Sequence, residues 1–310
     1  MKNKKALVPV AAGGATAAAA AYSFGGAMIL YSKFCRGVHE IRIAPENEES
    51  AREVNELQAP QLWGFTSFDG LKLKAHFYPA LAENSHRYAI VVHGFHGNYT
   101  DMMPYALHYL KAGYNVLMPH LRGHGLSEGT YVGFGYHDHY DLCGYIDLIR
   151  EKDPASEIIL HGMSMGAATV MMAAGEYLPK NVKCAIEDAG YTDAYEQCTY
   201  NLNTIYHLPA FPILNLTDLT MRIKHHYSLK ECTPIKSVAH ANVPILFIHG
   251  DKDDFVPYHM LQPLYDACTS EKDILTVEGA GHVQSVFTDP DKFWNKVDEF
   301  VAKYVGTVED

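Results

Sequence analysis

The stretch 158-IILHGMSMGAATVMMAAGE-176 decides the fold. An apolar run, Ile158-Ile159-Leu160, ends at a glycine, one serine follows between two methionines, and a small-residue helix begins after a second glycine. The pattern is G-x-S-x-G between a strand and a helix. A serine on so tight a corner projects its Oγ above the sheet, and the residues two before and two after must be tiny because their backbones meet. The helix that follows aims its free N–H groups and its dipole at the same spot. Ser164 is therefore a candidate nucleophile.

Working outward, short apolar runs alternate with helical stretches. The runs are 89-AIVV-92, 115-NVLM-118, 157-EIIL-160, 182-VKCAIE-187, 244-PILFI-248 and 273-DILTV-277. Helices are predicted near 101–112, 138–151, 165–176, 258–269 and 291–304. Continuous apolar strands bounded by helices belong to a mostly parallel sheet covered on both faces, so the fold class is α/β. Upstream, 62-LWGFTSF-68 and 71-LKLKAHFY-78 flank Asp69-Gly70, a hairpin signal. In the second run Leu71, Leu73, Ala75 and Phe77 alternate with polar residues, as in a half-buried strand near a sheet edge. The interval 191–241 breaks the rhythm with prolines and aromatics, and is predicted to be a small cap inserted between strands.

In such sheets ligands bind at the carboxyl ends of the strands, and those ends carry the remaining candidates. After 89-AIVV-92 comes 93-HGFHGN-98, a glycine-rich turn able to aim a backbone N–H at a reacting carbonyl. The N–H groups of Phe95 and Met165 would form an oxyanion hole. After 244-PILFI-248 comes 249-HGDKDDFVP-257, in which Asp251, Asp253 and Asp254 compete for an orienting role. After 273-DILTV-277 comes 278-EGAGH-282, with His282 in a glycine-flanked loop. A serine hydroxyl needs a base to take its proton, and the base needs a carboxylate to fix its tautomer. The order Ser164…Asp253…His282 suits that arrangement.

On the motifs 93-HGFHGN-98, 121-LRGHGLSEG-129, 162-GMSMG-166, 249-HGDKDDFVP-257 and 281-GH-282, the chain from about residue 62 onward resembles the α/β-hydrolases. It is most similar to the serine-hydrolase branch with lysophospholipase-like, monoacylglycerol-lipase-like and serine-aminopeptidase-like members. The resemblance implies an α/β-hydrolase fold and a Ser-His-Asp triad. In G-x-x-D-x-x-V-P the acid is the triad carboxylate, which points to Asp253, with Asp254 the second choice. It implies no cofactor and no metal. One departure is His120, which stands where the family commonly has an aspartate before its R-G-H-G turn.

The expected activity is hydrolysis of small-molecule carboxylic esters through an acyl-enzyme. Peptide or thioester hydrolysis and a catalytically silent binding role are the rivals. A peptidase acting on an N-terminal amine would need an acid such as Glu196 or Asp218 facing Ser164.

Composition narrows the partners. The 310 residues carry 25 Lys+Arg against 36 Asp+Glu, a net charge of −11, with no basic face to attract nucleic acid. The six cysteines form no CxxC pair, which argues against a zinc site or a disulfide framework, though Cys198 and Cys232 are a conceivable pair. His137-Asp138-His139-Tyr140-Asp141 has metal-ligand spacing but opens a predicted helix. At the N-terminus, three lysines precede 6-ALVPVAAGGATAAAAAYSFGGAMILY-31, 26 residues without charge. That length predicts a single membrane span over 1–36, uncleaved, with the rest of the chain outside the cell. Cleavage near Ala17 to Ala21 and secretion is the alternative. Residues 37–60 read as a connector, and 61–310 as the hydrolase domain with its cap at about 191–241.

Overall fold

The computed structural model describes residues 22–305. Eight strands form one sheet: β1 (Gln61–Thr66), β2 (Lys72–Tyr78), β3 (Arg87–Val92), β4 (Asn115–Pro119), β5 (Glu157–Met163), β6 (Val182–Asp188), β7 (Ile245–Gly250) and β8 (Lys272–Val277). Their order is β1-β2-β4-β3-β5-β6-β7-β8. The first two strands pair antiparallel with each other and onto β4, and every later pairing is parallel. This is the mostly parallel sheet of the α/β-hydrolase fold.

The hairpin turns where the Asp-Gly signal lies, with Gly70 at φ 90°. In β2, Leu73, Ala75 and Phe77 are buried while Lys72 is exposed, the alternation of a strand one place in from the edge. The central strands are apolar throughout because both faces are covered. In β3, Ile90 and Val92 pack into one layer and Ala89 and Val91 into the other. The first layer contains α4 (Tyr136–Lys152) and α5 (Met165–Ala174); the second contains α2 (Glu48–Leu57), α3 (Met103–Lys111) and the C-terminal helix (Pro290–Ala302). The helix expected from residue 101 starts at Met103, after a 3₁₀ turn over Tyr99–Met102, with a proline in its first turn where the missing N–H costs nothing.

Between β6 and β7 the chain runs through α6 (Ala194–Thr204), α7 (Ala210–His225) and α8 (Pro234–Val238). Of these, α6 and α7 wall the space over Ser164, while α8 packs at the other end of α5, where Gly175 lies against Ser237. The 121-LRGHGLSEG-129 loop is held by Arg122, which is fully buried. Its Nε and Nη2 each donate to Asp141 at 2.8 Å, and Nη1 donates to Asp69 at 2.9 Å.

The N-terminal region departs from expectation. Among the described residues no helix is long and apolar enough to cross a membrane, which overturns the predicted anchor and the membrane placement drawn from it. The described part of the uncharged run is a short helix, α1 (22–30), followed by a π-helical turn over Tyr31–Cys35. It ends against protein: Ala27 and Cys35 are buried, and Tyr31 Oη lies 2.7 Å from His225 Nε2 on α7. The earlier part of the run, including the cleavage site weighed near Ala17 to Ala21, lies outside the described residues. Cys198 and Cys232 do not pair; all six cysteines are free.

Candidate active site

Ser164 occupies the corner between β5 and α5 with φ 55° and ψ −117°, a conformation that L residues adopt only under constraint. The constraint is visible in its neighbours. A Cβ on Gly162 would collide with the Gly166 carbonyl, and one on Gly166 would collide with the Val92 carbonyl. The Ser164 N–H donates to the Asp188 carbonyl at 2.8 Å, tying the corner to the adjacent strand β6.

Three of the predicted residues stand in one hydrogen-bonded line. His282 Nε2 lies 2.9 Å from Ser164 Oγ, and His282 Nδ1 lies 2.7 Å from Asp253 Oδ2. With Nδ1–H donating to the carboxylate, Nε2 is left to accept the serine hydroxyl. Asp253 is buried and saturated: its Oδ1 accepts the N–H groups of Phe255 and Val256 at 3.0 and 2.9 Å. Burial alone would raise its pKa, but the bonds from His249 and His282 outweigh burial and hold it down to about 2. Asp253 is thus ionised at neutral pH. Of its competitors, Asp254 is exposed, and Asp251 accepts the Gly279 N–H at 2.6 Å.

Phe95 and Met165 both line the cavity around Ser164. Met165 is the first residue of α5, where backbone N–H groups have no intrahelical acceptor. Gly94 lets the Phe95 loop approach closely, since a Cβ there would sit 3.3 Å from the Ser164 Cβ. His93 fixes that loop: its Nδ1 lies 2.9 Å from the Gly94 carbonyl, and its Nε2 accepts the Leu121 N–H at 3.1 Å. Burial lowers the His93 pKa to about 4, so the ring is neutral and can accept at Nε2. The 93-HGFHGN-98 and 121-LRGHGLSEG-129 loops are joined through this one ring.

A narrow cavity opens above Ser164. Its walls are apolar, with Leu30, Phe134, Leu202, Leu214 and Phe255 among them. Two buried amides interrupt them. Gln197 Nε2 donates to the Phe255 carbonyl at 2.6 Å, while Gln197 Oε1 and Asn201 Oδ1 have no hydrogen-bond partner among the described residues. Glu196 and Asp218 do not line this cavity. Glu196 accepts from Thr192 Oγ1, and Asp218 accepts from Ser228 Oγ and the Leu229 N–H.

The H-x-H-x-D string is used internally. Tyr131 Oη lies 2.8 Å from His137 Nδ1, Asp138 accepts the Gly135 N–H as part of a helix cap, and His139 Nδ1 lies 3.0 Å from the Gly135 carbonyl. Three contributors to the site have no role in the sequence reading: His249, which lies inside a quoted motif; the amide pair on α6, one helical turn apart; and α1.

Residues 90–208 match the family model described as the alpha/beta hydrolase fold. The chain is 28% identical to the uncharacterized protein YqkD of Bacillus subtilis, over 71% of this chain and 72% of that one. It is 27% identical to a thermostable monoacylglycerol lipase of Bacillus sp. strain H-257, over 74% of this chain and 95% of the lipase. Among solved structures, the Pyrococcus furiosus esterase Pf2001 superposes with a TM-score of 0.69 at 20% identity, covering 88% of this chain and 98% of the esterase. The strand order, the glycine-flanked serine corner and these likenesses define a hydrolase. The chain has the α/β-hydrolase fold, and its residues 90–208 match that superfamily's model.

Proposed function

We propose that the protein is a serine hydrolase that cleaves carboxylic esters through an acyl-enzyme. The observation that carries this reading is the continuous line from Ser164 Oγ through the His282 ring to an ionised Asp253, opening into an apolar cavity. Ser164 Oγ attacks the ester carbonyl while its proton passes to His282 Nε2. Asp253 stabilises the imidazolium that results. The N–H groups of Phe95 and Met165 hold the tetrahedral oxyanion. The alcohol leaves with the proton from His282. Water then gives a proton to the same nitrogen and its oxygen to the acyl carbon, and the acid departs with Ser164 restored.

An ester reading is favoured over an aminopeptidase because Glu196 and Asp218 are engaged elsewhere, and the cavity presents amide oxygens rather than a carboxylate. An ammonium group would be poorly matched there. The likeness to a monoacylglycerol lipase points the same way. Thioesters suit the same chemistry and are separated only by assay.

The test is hydrolysis of a p-nitrophenyl ester series from two to sixteen carbons, with aminoacyl p-nitroanilides alongside. We expect ester turnover that Ser164→Ala lowers by at least about 10⁴-fold. Turnover of the anilides alone would move the protein to the peptidases. Undiminished turnover by the variant would remove Ser164 from the chemistry.

A further inference from the structure

The helix α1 borders the space above Ser164. The cavity that holds Ser164 and a second, outer groove share Leu30, Phe95, Leu202, Tyr206 and Phe255 as walls. The two spaces therefore adjoin, with these side chains as the walls between and around them. The outer part is bounded on one side by Tyr22, Gly25, Gly26 and Ile29 of α1, and on the other by Leu208 and Ile213.

The position of α1 is fixed at its middle and by the segment that follows it. Gly26 lies against α7 so closely that a Cβ would stand 3.2 Å from Ile213 Cδ1. Thr217 Oγ1 donates to the Ala27 carbonyl at 3.3 Å. Beyond the helix, the Val132 N–H donates to the Cys35 carbonyl at 2.9 Å, and the Val38 N–H donates to the Gly123 carbonyl at 2.7 Å. The segment that follows α1 is thus stitched to the loop that carries Arg122.

We propose that α1 is one wall of an acyl-chain channel, and that the preferred substrates are esters whose long unbranched acyl chain runs from Ser164 past Leu30 into the groove between α1 and α7. This rests on the ester-hydrolase reading above. The occupant follows from the lining. A groove adjoining the serine cavity, lined mainly by apolar side chains with Lys33 and His96 the charged or titratable exceptions, and too extended for a short acid, fits an alkyl chain better than a polar leaving group. Each methylene buried there raises kcat/KM roughly two- to fourfold, until the groove is filled.

Gly25 supplies the test. It lines the groove, and a Cβ built on it meets nothing within 4 Å among the described residues, so a larger side chain there can narrow the groove without displacing them. In the full chain, Gly25→Phe is compared with wild type and with Gly25→Ala across the p-nitrophenyl ester series. We expect the ratio of kcat/KM for the fourteen-carbon ester over the four-carbon ester to fall at least tenfold in Gly25→Phe and to stay near wild type in Gly25→Ala. An unchanged ratio, whether both esters slow together or neither does, would make α1 a strut and overturn the proposal.

A second measurement separates this from the ester reading. Binding of a fluorescent eighteen-carbon fatty acid is titrated in Ser164→Ala with and without Gly25→Phe. Binding weakened at least tenfold by Gly25→Phe supports the channel even where no ester is turned over, an outcome that would instead defeat the ester reading. Binding indifferent to Gly25→Phe overturns the channel.

Discussion

His249 and His282 reach the same oxygen of Asp253. His282 Nδ1 lies 2.7 Å from Oδ2, and His249 Nε2 lies 3.1 Å from it on the buried side, 3.0 Å from the Val256 carbonyl as well. Asp253 is therefore held by a second imidazole that never touches Ser164. Burial lowers the His249 pKa, but the bond to Asp253 and the nearby Glu187 carboxylate more than reverse this and raise it. His249 is a positioning residue, and its contribution is to keep Asp253 ionised and aimed.

That role predicts a graded series. A hydrogen bond to a charged group is worth about 1.5–3 kcal/mol, so losing it entirely costs roughly 10- to 100-fold in rate. We expect His249→Phe to lower kcat by that factor with KM nearly unchanged, and His249→Gln, which keeps a donor, to recover most of it. Equal losses in both variants, or a loss confined to KM, would assign His249 to packing alone.

The strain at Ser164 gives a prediction on stability. Ser164→Ala and Ser164→Gly both delete the hydroxyl, but only glycine is at ease at φ 55°, ψ −117°. The glycine variant is expected to be the more stable of the two inactive forms by about 1 kcal/mol, or roughly 2 °C in melting temperature. Calorimetry on the pair reads this directly. A glycine variant no more stable than the alanine variant would show that the corner stores no strain.

The parts of this fold that were legible in the sequence are those where backbone and solvent impose a local rule. The strands around the serine corner read as continuous apolar runs because β3 to β7 are covered on both faces. The corner reads as G-x-S-x-G because Gly162 and Gly166 sit where a Cβ would strike a carbonyl. Asp253 and His282 were findable because each follows an apolar strand directly. What escaped was set by tertiary proximity. An uncharged run of 26 residues satisfies the length rule for a membrane span. Its described end instead buries Ala27 against protein, and Cys35 just beyond it is buried as well, through contacts with residues near 130 and 215 that no local pattern announces. The same is true of Gln197 and Asn201, which look like polar helix positions until α6 is placed over the cavity.

Those two amides predict a trade between stability and selectivity. A buried acceptor with no partner costs about 1–3 kcal/mol, so Asn201→Leu is expected to raise the melting temperature slightly. The same change should lower kcat/KM for a monoglyceryl ester relative to the ethyl ester of the same acid, roughly 10-fold, because a substrate hydroxyl loses its acceptor. Gln197→Leu should act in the same direction on selectivity but also loosen the Phe255 carbonyl that Nε2 holds. A glyceryl-to-ethyl ratio untouched in both variants would mean that these oxygens do not meet substrate.

His120 predicts a specific acid sensitivity. It is fully buried, and its Nε2 lies 3.1 Å from His76 Nδ1. Burial, with His76 and His124 adding to it, lowers its pKa to about 3, against an ordinary value of 6.5. As pH falls below 6.5 the unfolded chain therefore takes up a proton at this position that the folded chain refuses. Stability is full above that value and is lost through the window from 6.5 down to about 3, at about 1.4 kcal/mol per pH unit for one site. His120→Gln removes the titration while retaining an amide to bond His76. Because every other ionisable group is common to both proteins, the difference in unfolding free energy between them isolates this one. We expect that difference to shift in favour of the variant by about 1.4 kcal/mol per unit between pH 6 and pH 4, and to be flat above pH 7, in urea titrations at fixed ionic strength. A difference independent of pH over that range would mean that His120 takes up its proton in the folded chain as readily as in the unfolded one, so that burial of this ring carries no acid penalty.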